Sequence, residues 1–264
     1  MKILRLGNSN DTGAWVPESD RRHVLVQDQL AAELGEPVDT LVKAAWPNHQ
    51  LPALVARWMD EFQPDLVYFK VNSFAYQYES VPLKLQRKFG RAGEPFANAG
   101  VRAAERQWLS HNRAFRAGRR AAQRFIGGAT HVQPQEAAES VEACIRTIVR
   151  HENVALLVKG SRGRSKDPNL TPKMLERAEG RRLLVHERIA RVCAELSVDY
   201  IGNAKAAWRT DPKERRTRVG DDLHHDAAGH RDGAGEEAAT LLAVWRRHQP
   251  EGVAAQSAAI SRRP

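Results

Sequence analysis

Four segments far apart in the chain carry side chains that could act together on an ester. Ser9 follows a short apolar run and a glycine, in Ile3-Leu4-Arg5-Leu6-Gly7-Asn8-Ser9. Asn48 ends the turn Ala44-Ala45-Trp46-Pro47-Asn48, and Asn72 follows the apolar run Leu66-Val67-Tyr68-Phe69. Near the other end, Asp221-Asp222-Leu223-His224-His225 sets a carboxylate three residues before an imidazole. A hydroxyl nucleophile, a base, a carboxylate to orient that base and amide donors are the parts that acyl transfer from an ester needs. Each has an ordinary reading too. Serine and asparagine are frequent at strand exits, helix caps and turns, and a histidine near a terminal helix is often a surface group.

Joint chemistry requires a fold that gathers these four segments. Apolar runs at 3–6, 37–42, 65–71, 154–159 and 198–201 predict five buried strands. Helical periodicity between them predicts helices at Arg22–Leu34, stopped by Gly35, and at 51–62, Glu136–Arg150 and Thr171–Leu196, the last interrupted near Gly180. A final helix is expected from Glu236 to Arg247, with a basic loop from Lys205 to Val219 before the Asp-His segment. Strands alternating with helices imply a parallel sheet covered on both faces, which binds ligands beyond the carboxyl ends of its strands. Ser9, Asn48 and Asn72 all fall at that edge.

A chain of 264 residues with Lys+Arg 41 against Asp+Glu 32, formal charge +9 and pI near 9.9, favours acidic partners or substrates. Cys144 and Cys193 each lie in an apolar helical pattern and are expected to be buried free thiols rather than disulfide or metal ligands. The first strand starts at residue 2, so a signal peptide is not expected, and no apolar run reaches membrane-spanning length. A cytoplasmic protein using no metal or cofactor is the expectation. The domain is expected to cover 1–247, with a tail at 248–264 too poor in large apolar residues to order.

Residues 74–135 are too long for a simple connection and read as a helical insertion. Gln77 to Pro95 looks irregular, whereas Val101 to Ile126 predicts a long helix. On it Arg102, Arg106, Arg113, Arg116, Arg120 and Arg124 fall in a stripe about 80° wide. Trp108, Phe115, Ala122 and Ile126 cluster on another face, the expected packing side. A solvated basic face and a binding surface for an anion are both consistent with the stripe. If the insertion borders the cleft, Arg113, Arg116 and Arg120 would meet an anionic part of the substrate, and Ser161, after the fourth strand, would line it.

At this level the chain resembles the SGNH hydrolases, the GDSL esterase and lipase superfamily. Leu4-Arg5-Leu6-Gly7-Asn8-Ser9 is similar to that family's first block, hydrophobic-x-hydrophobic-Gly-Asp-Ser, with Asn8 in place of the aspartate. Lys70-Val71-Asn72-Ser73 resembles the block Gly-x-Asn-Asp, departing at Lys70 and Ser73. Asp221-Asp222-Leu223-His224-His225-Asp226-Ala227-Ala228-Gly229-His230 resembles the block Asp-Gly-x-His-Pro-Asn-x-x-Gly-His. The resemblance covers 1–73 and 150–247 and leaves the insertion unexplained.

The resemblance implies a three-layer α/β/α, flavodoxin-like fold with a five-stranded parallel sheet, and a triad of Ser9, His224 and Asp221. Its oxyanion hole would comprise the N–H of Ser9, the side-chain amide of Asn72, and a backbone N–H at Asn48, where the family has glycine. Asp222 with His225 satisfies the same spacing, but only Asp221 and His224 place Gly229 five residues after the histidine. Ser161 competes less well as nucleophile, because Gly160-Ser161-Arg162-Gly163 is not a full Gly-x-Ser-x-Gly elbow. The implied activity is hydrolysis of a small-molecule or glycan ester through an acyl-serine. The rival is an SGNH-like module that binds nucleic acid or another polyanion through its basic helix.

Overall fold

A computed structural model describes residues 1–90, 95, 113–161, 171–202 and 224–249. Five strands, β1 (Lys2–Gly7), β2 (Asp39–Ala44), β3 (Leu66–Lys70), β4 (Ala155–Lys159) and β5 (Asp199–Ile201), form one sheet in the order β2-β1-β3-β4-β5. Every pairing is parallel. This is the flavodoxin-like strand order, in which the chain reverses direction across the sheet between β1 and β3. The sheet edge beside the end of β1 is therefore the natural ligand crevice.

Alternation along the strands builds the layers. Leu4, Leu6, Val67, Phe69, Leu156 and Val158 point to one face. There they pack under α3 (Leu51–Phe62), α7 (Pro134–Val149) and α8 (Pro172–Glu195). Ile3, Leu66, Tyr68, Ala155 and Leu157 point to the other, under α2 (Arg22–Leu34) and α10 (Ala234–His248). Cys144 and Cys193 are buried free thiols in the first layer. Burial in this apolar layer pushes both up to about 12, so neither forms a thiolate at neutral pH.

The other described helices are α1 (Ser9–Thr12), α4 (Phe74–Gln77), α5 (Val81–Phe89), α6 (Arg113–Ile126) and α9 (Ala227–Asp232), with a 3-10 turn at Glu18–Asp20. Three expectations are corrected. The helix expected to break near Gly180 runs unbroken from Pro172 to Glu195, because a single glycine costs only about 1 kcal/mol and its neighbours are good helix formers. Residues 77–95, read as irregular, contain α5. Its start is capped by the Ser80 hydroxyl, which accepts the Leu83 N–H, and Pro82 lies in its first turn. In α6, Ile126 is 41% exposed rather than packed inward, and Gln123 is buried instead, donating to the Glu79 carbonyl.

Candidate active site

The turn leaving β1 is locked by its own side chains. Asn8 caps α1: its Oδ1 accepts the Asn10 N–H at 3.0 Å, and its own N–H donates to Asp11 Oδ2 at 2.9 Å. This reciprocal capping box fixes Ser9 as the first residue of the helix, and Gly13, at φ 56°, closes it. The Ser9 N–H thus belongs to the helix's unsatisfied amino end, where oxygen anions are favoured.

Asp11 is where this turn meets the core. It is 1% exposed, and its Oδ1 accepts from Arg5 Nε at 3.2 Å and Nη2 at 2.9 Å. Lys70 Nζ lies 3.2 Å from Oδ2. Burial would push this carboxyl up, but Lys70, Arg5 and the Asn8 N–H outweigh it and hold the group well below the usual carboxylate range. Arg5, also 1% exposed, makes a further ion pair with Glu237 of α10. Glu237 in turn accepts from the Tyr68 hydroxyl at 3.1 Å and lies 3.8 Å from Lys159. The Ser9 turn is therefore tied by buried charges to β1, β3, β4 and α10.

Across the crevice, Ser9 Oγ and His224 Nε2 are 2.9 Å apart although 215 residues separate them in sequence. Three contacts place that histidine. The Trp15 ring lies 4.0 Å from the His224 ring, and Trp15 Nε1 donates to the His225 carbonyl at 2.8 Å. The His225 N–H donates to Asn10 Oδ1 at 2.9 Å, so Asn10 of α1 holds the backbone beside the imidazole. Asp226 then caps α9 by accepting the Gly229 N–H at 2.8 Å. His230 on that helix is buried, and its Nδ1 accepts the Arg22 N–H at 2.9 Å. Burial, followed by the Arg22 charge, lowers His230 to about 4.

Asn72 is buried at the end of β3, and its Oδ1 accepts the Phe74 N–H at 3.3 Å. That bond commits the oxygen and turns the NH2 end of the amide into the available donor. Asn48 is different. Its N–H donates to the Trp46 carbonyl at 2.8 Å, its Oδ1 accepts from Gln50 N–H at 3.0 Å, and its own carbonyl accepts from Ser140 Oγ at 2.6 Å. The backbone N–H expected there as a donor is engaged in a tight turn around Pro47, and separately the side chain makes an Asx turn with Gln50.

The Ser161 carbonyl accepts from Nη1 of the fully buried Arg182 at 3.1 Å, which anchors the end of β4 to α8. Asp221 and Asp222 lie outside the described residues, as do Arg102 and Arg106 and the side chains of Arg113, Arg116 and Arg120. Trp15, Asn10 and the Arg5–Asp11–Glu237 cluster were not singled out in the sequence. Arg5 within an apolar strand is the one signal that could have pointed to them.

By sequence, neither a family profile nor a curated protein matches the chain. Solved structures do. The psychrotrophic esterase EstA from Pseudoalteromonas sp. superposes with TM-score 0.54 at 10% identity, covering 92% of this chain and 97% of its own. TesA gives 0.51 at 15% identity over 91% and 98%, and the acetyl xylan esterase AlAXEase 0.51 at 12% over 91% and 100%. The chain has the fold of these esterases. Identities this low speak for the fold alone, which agrees with the resemblance to SGNH hydrolases seen in the sequence. Among the described residues, no helix is long and apolar enough to cross a membrane.

Proposed function

We propose that the protein is a serine ester hydrolase working through an acyl-serine, with Ser9 as nucleophile, His224 as base and Asp221 as the carboxylate behind it. The observation that carries this reading is the 2.9 Å contact between Ser9 Oγ and His224 Nε2 at the carboxyl edge of the sheet. In the productive tautomer, Nε2 is unprotonated and accepts the Ser9 proton as Oγ attacks the acyl carbon. The tetrahedral oxygen takes hydrogen bonds from the Ser9 N–H and the Asn72 amide. His224 then returns the proton to the departing alcohol, and a water, deprotonated by the same nitrogen, releases the acid. Asp221 accepts from Nδ1–H and stabilises the imidazolium while it lasts.

The acid member follows from its spacing to His224 and from the family resemblance. The substrate class is a small-molecule or glycan ester; the neighbours include an acetyl xylan esterase, which is consistent with an O-acyl sugar. The Arg113, Arg116 and Arg120 stripe and Ser161 remain candidates for contacting the rest of the substrate. Fluorophosphonate labelling tests the reading directly. Covalent modification at Ser9, lost in Ser9→Ala and in His224→Ala, together with hydrolysis of p-nitrophenyl acetate, is expected. A protein that is folded yet neither labels nor hydrolyses, while binding DNA or RNA with a steep salt dependence, overturns it in favour of a polyanion-binding module.

A further inference from the structure

Beside Asn72 lies an aromatic cluster that the reaction scheme leaves without a task. Phe74 and Tyr78 stack at 4.8 Å with planes 21° apart, and Phe74 and His131 at 5.8 Å and 29°. Trp46 stands edge-on to both, 6.4 Å from Phe74 at 60° and 5.5 Å from His131 at 85°. Trp46 follows β2, and Phe74 follows β3. β1, whose end leads to Ser9, runs between those two strands in the sheet.

The cluster is fixed by the backbone. Phe74 N–H donates to Asn72 Oδ1, Val132 N–H donates to the Ala75 carbonyl at 3.0 Å, and Arg87 Nη2 donates to the His131 carbonyl at 3.0 Å. Yet the central ring is open: Phe74 is 41% exposed despite three ring neighbours. Burial, followed by the Arg87 charge, lowers His131 below its ordinary value, which favours an uncharged ring at neutral pH.

We infer that Trp46, Phe74, Tyr78 and His131 form a subsite for an aromatic ring carried by the ester. A preformed apolar wall with a few polar tips beside convergent polar groups is the usual make-up of a small-molecule site. A ring added to the column can stack offset on Phe74 or His131 and meet the edge of Trp46, gaining attraction beyond area burial, which a saturated ring of equal size cannot. An anionic group would gain nothing from the negative faces of these rings. The subsite rests on the ester-hydrolase reading only for where the ester bond sits.

The experiment compares matched pairs: ethyl phenylacetate against ethyl cyclohexylacetate for the acyl end, and benzyl acetate against cyclohexylmethyl acetate for the alcohol end. At least one pair is expected to show kcat/KM favouring the aromatic member by about tenfold. Phe74→Leu is expected to bring that ratio close to one. The same esters are titrated into Ser9→Ala by ligand-observed NMR, which reads binding without chemistry. Saturable binding of the aromatic member, weakened by Phe74→Leu, is expected even if no ester is turned over. Absence of hydrolysis with that binding intact would count against the hydrolase reading and not against the subsite. Equal binding of aromatic and saturated members, or a preference unmoved by Phe74→Leu, overturns the subsite.

Discussion

A side chain at Gly7 would collide with Asp11: a Cβ built there falls 2.3 Å from Asp11 Oδ2. The glycine two residues before Ser9 is thus required by a carboxylate that folds back over it to reach Asn8 N–H, Arg5 and Lys70. Gly7→Ala is expected to displace Asp11 and with it the Ser9 turn. The check is a fall in the rate of fluorophosphonate labelling while circular dichroism stays native.

Asp11→Ala leaves Arg5 buried with one partner fewer. Breaking a buried pair from one side typically costs about 3–5 kcal/mol. Urea unfolding at pH 7 is expected to show a loss of that order. A change below 1 kcal/mol would mean that the cluster does not hold the turn.

On the proposed mechanism Asn72→Ala removes a donor to the oxyanion, so kcat is expected to fall about 10²–10³-fold with KM little changed. Asn48→Ala keeps its backbone N–H, which is already given to Trp46. Its effect on kcat is expected to be much smaller. Steady-state kinetics on one ester, with both variants, tests the Asn72 side chain as donor, with Asn48→Ala as the control that changes a side chain only.

The two candidate acids separate by substitution. Asp221→Asn is expected to cut kcat by about 10⁴, through the wrong imidazole tautomer, while Asp222→Asn stays within about threefold of wild type. The reverse result would move the acid to Asp222. The pH profile of kcat/KM for each variant is the supporting measurement.

His230 links stability to pH. Its folded value, about 4, lies below the ordinary histidine value of 6.5. The unfolded chain therefore binds a proton first as pH falls. Stability from this group is full above about pH 6.5, declines through the interval down to about 4, and is flat below it, a total of a few kcal/mol at most. Asp11, held low, adds a separate loss at more acid pH. Urea midpoints from pH 7 to 4 are expected to fall, and His230→Asn to flatten that part of the curve. Gly13, whose Cβ would sit 3.1 Å from His230 Cε1, leaves this buried ring little room to move.

Much of the fold was legible because it is written in local pattern. The helices Arg22–Leu34 and 51–62 fall where periodicity and their stop signals put them, and five apolar runs became five parallel strands. Ser9, Asn72 and His224 could be nominated because strand ends, and a motif spaced within one segment, are local features. The sequence also determined the capping box, since Asn8 and Asp11 are three residues apart.

What only tertiary structure decided involves partners distant in sequence. The contact of Ser9 with His224, the placement of His225 by Trp15 and Asn10, and the pairing of Arg5 with both Asp11 and Glu237 join residues with no shared period. The Asn48 N–H is engaged by the Trp46 carbonyl through a backbone turn around Pro47, a conformation that the residue types do not fix. The aromatic wall needed three segments to converge on Phe74. A linear pattern records which face each residue takes; which faces meet is set by strand order and layer packing.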